Sequence, residues 1–171
     1  MPWPRSVVQP IRLTRRFQDR QSMTSSKWQV TPTTADVGFV AESSTIPELF
    51  IVSSVAIQCI RLGLEPDEDL PLATGEEITI AIDKSERIDR DLVAWLEEIN
   101  WVAESKSAVI HINSVRYEES KLLSKGTVIL SVPVEPVIEI KAVTFHELEL
   151  SSIPSEVGGN SGYRAKVILD V

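Results

Sequence analysis

The sequence contains one cysteine, two histidines and seven glycines in 171 residues, and only 6% of it is aromatic. A lone Cys59 excludes an internal disulfide. Its place in an apolar helical pattern predicts a buried free thiol, so nothing points to an oxidising compartment. No apolar run approaches the roughly 20 residues that cross a membrane, and the start lacks the continuous apolar segment of a secretory signal. The expectation is a soluble, cytoplasmic protein with no membrane partner. Also lacking are a glycine-rich phosphate loop, a zinc-spaced Cys/His set, a Ser-His-Asp arrangement with a local signature, and any internal repeat.

What is present is a 43% hydrophobic content in a chain long enough for one domain, which at this length buries about two thirds of its unfolded surface. The charge is unevenly placed. Residues 1–22 hold Arg5, Arg12, Arg15, Arg16 and Arg20 against Asp19, a net of +4, which leaves −12 on residues 23–171 of the total of −8. So acidic a body repels phosphate backbones, which argues against direct binding of RNA or DNA and favours a basic protein partner.

Residues 1–26, with Pro2, Pro4, Pro10 and no sustained period, read as a disordered leader, with Met23 as an alternative natural start. Residues 27–171 form the domain. Lys27–Thr31 and Val37–Ala41 read as strands around a turn at Asp36. Thr45 with Glu48 three places on has the capping-box form and Pro47 fits the first turn, so a helix begins there. Leu49, Val52, Ala56, Cys59 and Ile60 keep its apolar spacing, and Gly63 stops it. The acidic loop Glu65–Asp69 lacks the alternating ligands and glycine of a calcium loop and reads as a solvated face.

Glu77–Asp83 alternates as a strand, and Asp89 is placed to cap a second helix running to Glu104 on a stripe of Leu92, Trp95, Leu96 and Ile99. Ala108–Tyr117, with His111 as a sheet residue, and Leu122–Val134 pair as strands. A bulge is expected at Lys125-Gly126. Ile138–Leu150 reads as a regular strand whose parity puts His146 among apolar neighbours, as a core histidine, and Lys141 on the other face, as a surface lysine or an anion contact. Gly158, Gly159 and Gly162 flank the turn into a last strand, Tyr163–Asp170. The order predicts an α+β domain, two helices packed on a mainly antiparallel or mixed sheet.

The residues leave two readings of the chemistry. Asp36 is explained by turn formation alone, through its local hydrogen bonds. Brought beside Asp170 and the α-carboxylate of Val171, it would instead belong to a hard-cation site or a like-charge cluster.

The segments Thr34-Ala35-Asp36-Val37-Gly38, Pro47-Glu48-Leu49-Phe50, Asp91-Leu92-Val93-Ala94-Trp95-Leu96-Glu97-Glu98, Lys141-Ala142-Val143-Thr144-Phe145-His146 and Val167-Ile168-Leu169-Asp170-Val171 together resemble the archease family, in the family's order. The resemblance implies a non-catalytic activator of an RtcB-type RNA ligase, promoting ligase guanylylation and multiple turnover in tRNA splicing or RNA repair. It implies a divalent-cation site of Asp36, Asp170 and Val171, with calcium first and magnesium or manganese as alternatives. Lys141 and His146 become contacts for the partner or its nucleotide, GTP being used by the ligase and RNA met only indirectly. Thr33 stands where the family has histidine, Gly126-Thr127 replaces a Gly-Glu pair, and the Glu42-Ser43-Ser44 region replaces a glycine. The competing expectations are a metal-dependent phosphate-ester hydrolase, which would need a general base near the ion, and a chaperone-like interaction module without specific cation binding.

Overall fold

Thr45 starts the first helix through its own side chain. Its backbone is extended, and its hydroxyl accepts the Glu48 N–H at 3.3 Å, while Pro47 sits in the first turn where it forfeits no hydrogen bond. This helix, α1 (Ile46–Leu62), stops where Gly63 adopts φ 68°, a conformation that costs a residue with a Cβ, and the N–H groups of Gly63 and Leu64 return to the Ile60 and Cys59 carbonyls. The computed structural model describes residues 26–31, 33, 36–130, 135–154 and 161–171.

The second helix, α2 (Ile88–Ser105), departs from expectation at its start. Its cap residue is Arg87, which makes no side-chain cap bond, and Asp89 already lies inside the helix, paired with the Arg87 guanidinium. Asp91 holds the entry instead. Its buried carboxylate accepts the Ser85 N–H at 2.8 Å and faces the Tyr117 hydroxyl at 3.4 Å. A carboxylate in the first helical turn also meets the favourable end of the helix dipole.

The strands divide between two antiparallel sheets. One contains β1 (Lys27–Thr31), β2 (Val37–Ser43), β6 (Ala142–Ile153) and β7 (Gly162–Asp170) in the order β1-β2-β7-β6; the other contains β3 (Glu76–Asp83), β4 (Ala108–Tyr117) and β5 (Lys121–Leu130) in the order β3-β5-β4. The α+β class with two helices holds, and the helices are what join the sheets. Helix α1 packs on β2 and β4, and α2 on β6, β4 and β3. Phe50, Trp95, Leu92, Leu96, Ile99, Phe39 and Leu122 are fully buried between them. Each large apolar side chain so buried contributes about 1.5–3 kcal/mol.

Three polar bridges fix the helices in register. The Gln58 amide donates to Ile110 O and accepts the Ile110 N–H at 2.9 and 2.7 Å, tying α1 to β4. Trp95 Nε1 donates to Phe50 O at 3.3 Å, tying α2 to α1. Asn100 Nδ2 donates to Ile140 O and Glu97 Oε1 accepts the Val143 N–H, so α2 covers the outer edge of β6, where an exposed strand edge would otherwise stand unpaired.

Two local expectations are corrected by backbone register. The bulge lies on β4, not at Lys125-Gly126: Ile112 pairs with Gly126 and Ser114 with Lys125, so Asn113 is the extra residue. Gly126 serves the strand opposite, since a Cβ there would meet His111 O at 2.4 Å. The regular strand expected from Ile138 begins only at Ala142, and its parity fails. Between Thr144, opposite Ile168, and Glu149, opposite Lys166, β6 takes five steps against two on β7. The odd excess reverses the alternation, Glu147 enters the left-handed region at φ 49°, and His146 is exposed rather than set among apolar neighbours. The residues 131–134 and Gly158 and Gly159 lie outside the described residues.

Candidate functional site

The two ends of the domain meet at one end of the four-stranded sheet. Strand β2 pairs with β7 from Val37 opposite Leu169, so Asp36, one step beyond, stands level with Asp170 on strands about 4.8 Å apart. Gly38 makes this approach feasible. A Cβ there would lie 2.6 Å from Thr31 Cγ2 and 2.7 Å from Ile168 Cδ1, so side chains of both neighbouring strands close over the glycine. Thr33 Oγ1 donates to the Asp36 carbonyl, just before β2. Thr33 therefore positions Asp36, a role legible only as a hydroxyl three residues from a turn carbonyl.

On the other side of β7, Ala142 pairs with Asp170, and this brings Lys141 to the same end. The Lys141 N–H donates to Asp170 O at 2.9 Å, and its ammonium donates to Val171 O at 3.0 Å. The Val171 side chain is half-buried and packs on the core, which anchors the terminal residue while Asp36 and Asp170 face solvent. Lys141, Asp170 and Val171 are thus joined by hydrogen bonds, and the β2–β7 register carries Asp36 to the same end of the sheet.

His146 is not part of it. It sits in the β6 excursion, its Nε2 3.6 Å from Glu147 Oε1, and Glu147 in turn pairs with Lys166 at 2.6 Å. Lys166 stands four residues before Asp170, about 13 Å along β7. The Lys166 ammonium holds the Glu147 carboxyl below the usual carboxylate range. His111 bonds Pro71 O through Nε2 at 2.8 Å, in the other sheet.

The donor set at the tip is oxygen only. Among the described residues no three His, Cys, Asp or Glu side chains come together as metal ligands. Such oxygens, accepting and never donating when ionised, suit a hard cation such as calcium, magnesium or manganese. No described side chain donates to the Asp36 or Asp170 carboxylates, whereas Lys141 already serves Val171.

Elsewhere, Cys59 is buried in α1, and burial with the nearby carboxylates of Glu68 and Asp69 pushes its thiol up to about 11. It is a packed core residue. Among the described residues no helix is long and apolar enough to cross a membrane.

The family profile of the archease protein family (MTH1598/TM1083) matches residues 28–171. A protein archease of Methanosarcina mazei is 28% identical over 154 residues, spanning 85% of this chain and 96% of that relative. A protein archease of Thermococcus kodakarensis is 27% identical over 137 residues, spanning 75% of this chain and 90% of that relative. The solution structure of Methanobacterium thermoautotrophicum protein 1598 shares the fold, with a TM-score of 0.59 at 24% identity over 85% of this chain and 99% of that one. Apart from Lys27, the first residue of β1, the strands and helices described above lie within the matched span, and the chain belongs to the archease family.

Proposed function

We propose that this protein is a non-catalytic activator of an RtcB-type RNA ligase, promoting ligase guanylylation and repeated turnover in tRNA splicing or RNA repair. Family membership supports this reading, and one observation carries it: the turn before β2 and the end of β7 come together as a single polar tip of Asp36, Asp170, Val171 and Lys141.

In this reading Asp36, Asp170 and the carboxylate of Val171 hold one divalent cation, calcium before magnesium or manganese. When bound, the cation offsets the repulsion among the carboxylates and adds positive charge to the tip. The protein's own contribution is positioning. Thr33 bonds the Asp36 carbonyl, the β2–β7 ladder sets the distance between the two aspartates, and the half-buried side chain of Val171 holds the last residue. Lys141 steers the terminal carboxylate and offers a cation to the partner or to the phosphates of its GTP. His146, displaced from the tip, is a contact on the flank of the same partner-facing sheet. The acidic body engages the ligase and leaves RNA to it.

The test is multiple-turnover joining of RNA ends by the cognate ligase, with this protein and with Asp36→Ala. Stimulation by the native chain that the variant loses supports the reading; equal stimulation by both overturns the role of the tip.

A further inference from the structure

Arg61 is the one buried cation among the described residues, and its charge is unmatched. Only 7% of it is exposed, yet its guanidinium makes no hydrogen bond and no ion pair with any described residue. The other large buried polar side chains are engaged: Gln58 with Ile110, Asn100 with Ile140, Asp91 with Ser85. Burial draws the guanidinium below the ordinary arginine range, and Glu104, whose field opposes this, does not pair with it. A buried charge without a partner is costly, and protein interiors keep such groups paired. Its nitrogens are not sealed from water, because among the described residues Ser53 Oγ alone is a water-excluded side-chain atom lacking a partner. The guanidinium therefore opens onto the cavity that Arg61 lines.

That cavity, of about 250 Å³, lies where both helices end. Arg61 belongs to the last turn of α1, and Ser107, just past α2, forms another wall. Ala108 and Val109 at the start of β4 and Pro136 make the walls apolar, and Glu135 stands exposed at the rim. The Val137 and Ile138 N–H groups donate to Arg61 O at 3.0 and 3.2 Å, which holds this side of the cavity against α1. Ser107 adopts φ 47°, where glycine is the less strained residue, so a hydroxyl is kept at the cavity at a conformational cost.

The charges about the cavity limit what it takes. A planar guanidinium holds a carboxylate through two parallel hydrogen bonds. The carbonyl ends of two helices and Glu135 already add negative charge nearby, so one negative charge on a ligand is matched and two are not. The volume and the apolar walls admit a short aliphatic body and leave no room for a nucleotide. We propose that this cavity binds a small aliphatic monocarboxylate, its carboxylate on the Arg61 guanidinium and the Ser107 hydroxyl, its carbon chain on Ala108, Val109 and Pro136. No residue of the tip lines the cavity, so the site stands apart from the ligase reading.

Titration of the full chain with butyrate, read by amide signals, tests this. The proposal expects saturable shifts at Arg61, Ser107, Ala108, Val109 and Val137. Affinity should fall by about tenfold or more in Arg61→Gln, which loses charged hydrogen bonds but also sheds an unmatched buried charge and so keeps the fold. Ser107→Gly relieves the backbone and should weaken butyrate severalfold. A guanidinium that only offsets the helix ends gives no saturable shifts in the native chain, and that result overturns the proposal. So does undiminished binding in Arg61→Gln, equal affinity for butanol, which marks a merely apolar hollow, or tighter binding of inorganic phosphate, which marks a dianion site.

Discussion

Lys141 touches both of the last two residues, its N–H 2.9 Å from Asp170 O and its ammonium 3.0 Å from Val171 O. The first bond belongs to the backbone and survives substitution; the second does not. Lys141→Ala is therefore expected to change folding stability by no more than about 0.5 kcal/mol, as befits an exposed ion contact. Cation affinity should rise, because the competing ammonium is gone, while ligase stimulation falls. Calorimetry with calcium and manganese reads the first effect, and turnover assays the second.

Asp36→Ala and Asp170→Asn each remove one of two neighbouring carboxylates. Weakening of divalent-cation binding by about tenfold or more, or about 1.4 kcal/mol, is expected from either. Without metal the unfolding temperature should stay nearly the same, since both side chains are exposed. A thermal titration with and without calcium separates the two effects.

Gln58→Leu tests the bridge between α1 and β4. It leaves the buried Ile110 N–H and C=O without their side-chain partners, at a cost of about 2–5 kcal/mol in chemical denaturation. Trp95→Phe keeps most of the buried ring and loses the bond to Phe50 O, and about 1–2 kcal/mol is expected.

Cys59 sets an alkaline limit. Its thiol is raised by burial first and by Glu68 and Asp69 next, from 9.0 to about 11, so the folded state keeps the proton that the unfolded chain releases. The stabilisation is fully present below pH 9 and is lost as the pH rises through 9 to about 11. Tyr117, raised by burial and by Asp91, acts in the same direction. Cys59→Ala should flatten the fall in stability across that window, and the native thiol should resist alkylation at pH 8 until the protein unfolds.

The parts of this fold that sequence reveals are those decided by neighbours in the chain. The Thr45 and Gly63 ends of α1 rest on bonds within four residues, and the Leu92, Trp95, Leu96, Ile99 stripe rests on helical spacing. His146 fails because parity is local but register is not. Three surplus residues between Thr144 and Glu149 are defined only against β7, and a Glu at φ 49° carries no glycine to announce it. Gly126 misleads in a related way, signalling a close approach whose bulge is on the partner strand. The capping role of Asp91 was hidden because Ser85 and Tyr117 reach it from outside the helix. At the tip, Thr33 and the double contact of Lys141 require the folded ladder.

The Asp36 turn and the end of β7 are proposed to form one functional tip. RNA ligation by the cognate ligase should be measured over many turnovers with the native protein and with a form carrying a few residues appended after Val171, which leaves Asp36 and Asp170 in place but removes the free carboxylate. Strong stimulation by the native protein, lost in the extended form together with calcium binding, is the predicted result. Full stimulation by the extended form would contradict it.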